Sequence, residues 1–213
     1  MPIVSYILVA VGGYLLGSIP TGYLVARARG IDIRTVGSKN MGATNVFRTL
    51  GKGPGIFVLL VDALKGFAAS AWLADGLLQI FSQSNPDPQA SHIIAGIAAV
   101  LGHNYTCWLQ FKGGKGIATT AGVFLALAPM AVGIAIALWI VAFVATRYVS
   151  IASILAAIAL PAAVWFTQAN LALRIIAIIL GLLAIYKHKA NIQRLMNGTE
   201  NRIQFNKKPE AAK

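Results

Sequence analysis

The chain has little of what most enzymes use for chemistry. Of its 213 residues only Cys107 is a cysteine, which excludes an intrachain disulfide and any cysteine-based metal cluster. Only 6 residues are Asp or Glu, against 18 Lys or Arg, and none of the carboxylates lies between Asp32 and Asp62. That scarcity leaves no carboxylate cluster for two-metal phosphoryl transfer, so neither a metal site nor a cofactor is expected. His92, His103 and His188 each lack an Asp four or five residues on, so the HxxxxD acyltransferase pattern is absent. A Gly-x-Ser-x-Gly nucleophile elbow is missing as well. Charge is sparse altogether, at 11% of residues, where ordinary soluble domains carry about 25%.

Apolar sequence fills the space. It makes up 57% of the chain, with a mean hydropathy of +0.71. The runs 117–146 and 149–166 are too long and too apolar for a soluble core. They are continuous in Ala, Ile, Leu and Val and lack the alternation of a barrel strand, so helices must satisfy the backbone. The expectation is an all-α integral membrane protein, a single polytopic domain over 1–213 with a disordered tail at 206–213. The net charge of +12 sits in short loops, which points to membrane topology and anionic partners and not to nucleic acid.

Seven transmembrane helices are expected, with the N-terminus outside and the C-terminus cytoplasmic. The first, about 3–25, carries Gly12, Gly13, Gly17, Ser18 and Gly22 on a face suited to close packing, and Pro20 kinks it. No basic region precedes it, so it is read as an anchor that stays. The second, about 54–80, holds Asp62 and Lys65 on one face, either a structural ion pair or part of a functional site. The loop 82–91 has no Lys or Arg, as an outside loop should. The third runs from about 91 to 111. A single helix over 117–146 would be about 45 Å long against a hydrocarbon core of about 30 Å. It would also put Arg147 and the basic C-terminus outside, so a split near Ala128-Pro129 is expected. Helices at about 149–167 and 171–187 complete the set, and the last is expected to continue unbroken through Met196. Trp72, Trp108, Trp139 and Trp165 read as belt or packing aromatics.

Three polar stretches then share the cytoplasmic side. Residues 37–48, Gly37-Ser38-Lys39-Asn40-Met41-Gly42-Ala43-Thr44-Asn45-Val46-Phe47-Arg48, form a glycine-bearing loop rich in donors and cations. Phosphate oxygens only accept hydrogen bonds, and such an inventory suits them. The alternative is a solvated loop whose cations touch lipid headgroups. The second stretch, Lys112-Gly113-Gly114-Lys115-Gly116, lacks the preceding strand and Walker spacing of a nucleotide P-loop. The third carries His188, Asn191 and Arg194 on one polar face, followed by Glu200.

These motifs resemble the bacterial acyl-phosphate:glycerol-3-phosphate acyltransferases. The resemblance runs from about Gly17 to Arg202. It rests on Gly17-Ser18-Ile19-Pro20 with the 37–48 loop, on Gly102-His103-Asn104 with Lys112–Gly116, and on His188-x-x-Asn191-Ile192-x-Arg194-Leu195. Lys39 departs from the pattern, standing where a small residue, usually Gly, is expected. The resemblance implies transfer of an acyl group from a long-chain acyl phosphate to the 1-hydroxyl of glycerol 3-phosphate in the inner membrane. Lysophosphatidic acid and phosphate would be released, and a soluble enzyme would supply the acyl phosphate. Ser38, Asn40, Thr44, Asn45 and Arg48 would then bind glycerol 3-phosphate, helped by His188, Asn191 and Arg194. Lys112, Gly113, Gly114, Lys115 and Gly116 would hold the acyl-phosphate head. The catalytic set would be Ser38, Arg48, Lys115, His188 and Asn191, supported from behind by His103, Asn104 and Glu200. The donor is an activated mixed anhydride, so no covalent nucleophile is required, and its phosphate would accept the hydroxyl proton. A rival reading, a transporter of phosphorylated metabolites, predicts polar residues at mid-membrane and an inverted repeat. The polar residues instead gather at one face and no repeat is evident.

Overall fold

The computed structural model describes residues 2–81 and 86–203. The tail expected to be disordered, 206–213, lies outside them, as does 82–85 of the expected outside loop. The described residues are helical, with no strand among them. Their contacts fall into two compact units, one ending at Leu127 and the other beginning at Ala128.

The first unit starts with α1 (Pro2–Ser18) and α2 (Thr21–Arg27), broken at Ile19-Pro20. Proline has no N–H to continue a helix. The carbonyls it leaves over are taken up by side chains: Thr106 Oγ1 donates to Ser18 O at 2.6 Å and Lys65 Nζ to Ile19 O at 2.9 Å. After α3 (Ala43–Leu50) comes α4 (Lys52–Ala68), then a π-helical turn at Ala69–Leu73 and α5 (Ala74–Phe81). Next are α6 (Pro88–Asn104), a 3₁₀ turn at Cys107–Leu109, and α7 (Ile117–Leu127). The small-residue face of α1 lies against α6, where Cβ atoms at Gly13 and Gly17 would overlap the backbone of Ala95 and Ala99.

Two local expectations are corrected here. Residues 43–50, read as loop, form α3, because Val46 is buried in a cluster with Ala26, Ile33, Met41, Val58 and Leu109. Ala43 and Leu50 pack against that cluster, giving the segment an apolar stripe at helical spacing. The third helix begins earlier and ends earlier than expected. Asp87 caps its start by accepting the Gln89 N–H at 3.0 Å, and it ends at Asn104.

The second unit contains α8 (Pro129–Thr146), α9 (Val149–Thr167), α10 (Leu171–Lys187) and α11 (Lys189–Met196). The break at Ala128-Pro129 is as expected, with Pro129 in the first turn of α8. The last helix does not run unbroken. It bends by 52° between α10 and α11. His188 both closes and opens a helix there: its Nδ1–H donates to Ala184 O at 2.7 Å, while its own carbonyl accepts from Asn191 and Ile192.

Among the described residues, four helices are long and apolar enough to cross a membrane, or five if the bent α10–α11 pair is one span. α7, with 11 residues, is apolar but short. The spanning candidates are only 22–39% buried along their most apolar stretches, so most of their apolar surface needs lipid to cover it. This is a multi-pass membrane protein.

Candidate active site

The 37–48 loop is held by one amide. Asn45, 1% exposed, accepts the Ser38 N–H at 2.9 Å and donates to Ile33 O at 3.1 Å and Val36 O at 3.0 Å. Both its donor hydrogens are committed to the chain, so Asn45 braces the loop and has no donor left for a phosphate. Asn40 Oδ1 accepts the Gly42 N–H at 2.9 Å and turns the chain into α3. Thr44 stands in the first turn of α3 and Arg48 in its last. Lys39 has φ +57°, in the left-handed region that glycine adopts freely. The turn thus keeps the shape expected for glycine although the residue is lysine.

The glycine-rich turn is held by main chain. Gly113 donates its N–H to Asn104 O at 3.2 Å, and Gly114 donates to His103 O at 3.0 Å. These two amides are consumed by the end of α6, which corrects their expected part as phosphate donors. The glycines are there because a Cβ at Gly113 would overlap the His103 carbonyl, and one at Gly114 the His103 ring. Gly116, at φ +79°, closes against the Asn104 amide. Lys115, half-buried, stands between Gly114 and Gly116. His103 and Asn104 are both buried, at 4% and 1% exposure, so they shape the turn from beneath.

The loop and the turn meet at a cavity of about 370 Å³ lined by Asp32, Arg34, Thr35, Lys39, Met41, Gln110, Lys112 and Gly113. Arg34 grips Asp32 through two parallel contacts, Nε to Oδ1 at 2.9 Å and Nη2 to Oδ2 at 2.7 Å. Those hydrogen bonds hold the Asp32 carboxyl down at about 2, so the pair is locally neutral. Lys39 and Lys112 then leave the cavity wall positive. Of the expected site residues Lys112 and Gly113 line this cavity, whereas Ser38, Arg48, Lys115, His188 and Asn191 are not in its lining; Arg34, Asp32 and Gln110 belong to no motif.

In the second unit the hub is Glu200, its side chain 2% exposed. Oε1 accepts from Asn191 Nδ2 at 2.8 Å and Oε2 from Arg194 Nε at 2.7 Å. Burial by itself would raise the Glu200 carboxyl, but hydrogen bonds from Asn191 and Arg194 outweigh it and hold the pKa below the ordinary carboxylate value. His188 is buried at 3% exposure, and donating Nδ1–H to a carbonyl sets its tautomer, making Nε2 the accepting nitrogen of the neutral ring. Among the described residues, no three His, Cys, Asp or Glu side chains gather as a metal would require.

The comparisons agree with the motifs. A family model described as glycerol-3-phosphate acyltransferase matches residues 7–198. Among curated relatives, the glycerol-3-phosphate acyltransferase of Geotalea daltonii is 47% identical over 197 residues, covering 92% of this chain and 97% of its own. The protein of that name from Synechococcus sp. (strain JA-3-3Ab) is 46% identical, with 93% and 94% covered. A crystal structure of PlsY (YgiH), an integral membrane glycerol 3-phosphate acyltransferase, in its glycerol 3-phosphate form superposes with a TM-score of 0.83 at 38% identity. That match covers 94% of this chain and 96% of PlsY. The lysophosphatidic acid form gives 0.81, with the same identity and coverage. Matched along nearly its whole length in sequence and in fold, the chain belongs to the glycerol-3-phosphate acyltransferase family.

Proposed function

We propose that this protein transfers a long-chain acyl group from acyl phosphate to the 1-hydroxyl of glycerol 3-phosphate. The observation that carries this reading, beyond family membership, is the positive wall that Lys39 and Lys112 give the cavity between the two turns, since both substrates are phosphates. The hydroxyl oxygen attacks the acyl carbonyl carbon, the bond from that carbon to the bridging oxygen breaks, and phosphate leaves with that oxygen and the hydroxyl proton. Atoms balance as lysophosphatidic acid and inorganic phosphate, with no enzyme nucleophile. Rate comes from alignment and from stabilising the charge that develops on the carbonyl oxygen.

Ser38, Asn40, Thr44 and Arg48 bind the glycerol 3-phosphate phosphate, on a loop that Asn45 braces. Lys112 and Lys115 neutralise the acyl-phosphate head. Gly116 closes the turn, and Gly113 and Gly114 give it its shape. His188 and Asn191 position the acceptor hydroxyl, Arg194 assists, and Glu200 holds Asn191 and Arg194. The protein sits in the bacterial inner membrane with seven crossings, α7 being the short one, the N-terminus outside and the polar turns at the cytoplasmic face. There a soluble enzyme delivers acyl phosphate.

The test is phosphate release by purified protein in lipid mesophase, given glycerol 3-phosphate with palmitoyl phosphate or with palmitoyl-CoA. Release with palmitoyl phosphate alone, lost in Lys115→Ala and His188→Ala, is the expected result. Turnover with palmitoyl-CoA only would replace the donor. No turnover with either, together with uptake of glycerol 3-phosphate into proteoliposomes, would replace the reaction by transport.

A further inference from the structure

Below the glycine-rich turn lies a charged cluster with no part in the chemistry so far. Asp62 and Lys65 on α4 pair at 2.8 Å with side chains 4% and 3% exposed. The same Asp62 oxygen, Oδ1, accepts from Thr21 Oγ1 at 3.1 Å and lies 3.6 Å from His103 Nδ1. Lys65 reaches on to Ile19 O at the proline break. A buried ion pair costs desolvation, and matched apolar residues often serve stability as well or better. Within a membrane segment that cost marks a functional role.

The geometry shows where such a role would act. His103 turns one ring nitrogen toward Asp62, and its other nitrogen, Nε2, lies against Gly114, where any side chain would overlap it. Its carbonyl also holds the Gly114 N–H at 3.0 Å. The ring and the main chain of one residue thus fix the glycine that precedes Lys115, while the Asn104 side chain meets Gly116 on the other side. We infer that the Asp62–Lys65 pair, through His103, is a positioning device for Lys115 and so for the acyl-phosphate head, resting on the donor proposed above. Asp62 and Lys65 touch no substrate. They set the ring that sets the turn.

The deciding variant is Asp62→Asn with Lys65→Met, which removes both charges together and leaves neither unpaired in the membrane. His103→Ala, with the ion pair intact, is the second. Both are assayed with the full protein in mesophase, KM being measured separately for palmitoyl phosphate and glycerol 3-phosphate beside thermal unfolding. Each folded variant is expected to raise the KM for palmitoyl phosphate tenfold or more, with the KM for glycerol 3-phosphate within twofold of wild type. A merely structural pair predicts unchanged KM values or equal losses for both substrates, and either result in a folded variant overturns the inference. The two readings fail separately. Wild-type protein inert toward palmitoyl phosphate sinks the donor assignment, whereas active wild type with unaltered variants sinks only the positioning device.

Discussion

The 37–48 loop and the Lys112–Gly116 turn both carry glycine and cations, and the loop adds hydroxyls and amides. They are built in opposite ways. The loop is tied by a side chain, Asn45, whose hydrogen bonds span residues 33 to 38. The turn is tied by its own backbone to the end of α6, and its glycines exist to permit that contact. Glycine content alone therefore does not tell where phosphate-binding amides are. It tells where backbone can approach backbone, and in this turn the partner is protein.

The contrast is broken most severely at Gly114. Gly114→Ala must push the turn off His103, displacing Lys115 by a good part of an ångström. Misplacement of that order costs about 100-fold in rate, so kcat/KM for acyl phosphate is expected to fall by about that factor. Gly113→Ala is expected to behave alike, because its Cβ meets a carbonyl that cannot move without α6. Steady-state kinetics on the purified variants checks this. A mild effect would mean that the amides of the turn are held less tightly than their geometry shows.

At Asn45 the expected damage is to stability first. Asn45→Ala takes the side-chain partner from the Ile33 carbonyl and the Ser38 N–H, each worth about 1–3 kcal/mol when left unsatisfied, while the Val36 carbonyl keeps the Lys39 N–H at 2.9 Å. Partial access of water to Ser38 reduces the sum, and a loss of roughly 3 kcal/mol is expected, read by thermal unfolding in detergent. The KM for glycerol 3-phosphate should rise with it, because Ser38 loses its anchor. Asn45→Asp keeps the acceptor but turns a carboxylate oxygen on two carbonyls in a buried site, so it should be at least as damaging as Ala.

These two sites also show what was legible in the sequence. Apolar runs announced helices at each of the seven expected segments, and Pro20 and Pro129 announced breaks, since proline lacks the N–H that continues a helix, although α9 runs on through Pro161. Sequence does not reveal which partner consumes a donor. Asn45 and Gly114 look like ligands because their donors are visible, while the accepting carbonyls of Ile33 and Val36 belong to no motif, and that of His103 is main chain that any residue would carry. The bend at His188 was hidden for the same reason, its cause being a ring nitrogen on the Ala184 carbonyl within a run of good helix formers.

A third way of holding donors sharpens the comparison, because it responds to pH. Asn191 and Arg194 hang on the Glu200 carboxylate, whose folded pKa lies below the ordinary value near 4.5. The unfolded chain then binds a proton more readily than the folded one. The contribution of Glu200 to stability is therefore complete above about pH 4.5 and lost as pH falls through the folded pKa. Glu200→Gln should cost about 1–2 kcal/mol at neutral pH, a charged hydrogen bond partly exposed on the Arg194 side, and about tenfold in kcat. Its deficit should shrink on acidification in unfolding measurements. The deficit of Asn45→Ala should not, because no titrating group holds that loop.

The smallest expected effect falls on Lys39, where the two regions face each other across the cavity. A non-glycine residue at φ +57° costs about 1–2 kcal/mol, while glycine gives back about 0.5–1 kcal/mol through its freer unfolded chain. Lys39→Gly is therefore expected to stabilise the protein by roughly 0.5–1 kcal/mol. Strain retained at a cavity wall points to use, and the use here is charge: Lys39 and Lys112 together make that wall positive. The same substitution should raise the KM for one of the two phosphate substrates about two- to threefold at low salt, with the difference fading as ionic strength rises. A more stable variant with unchanged KM at every salt concentration would leave the left-handed lysine as strain without function. A more stable variant that binds its anion less well would show this turn trading stability for charge.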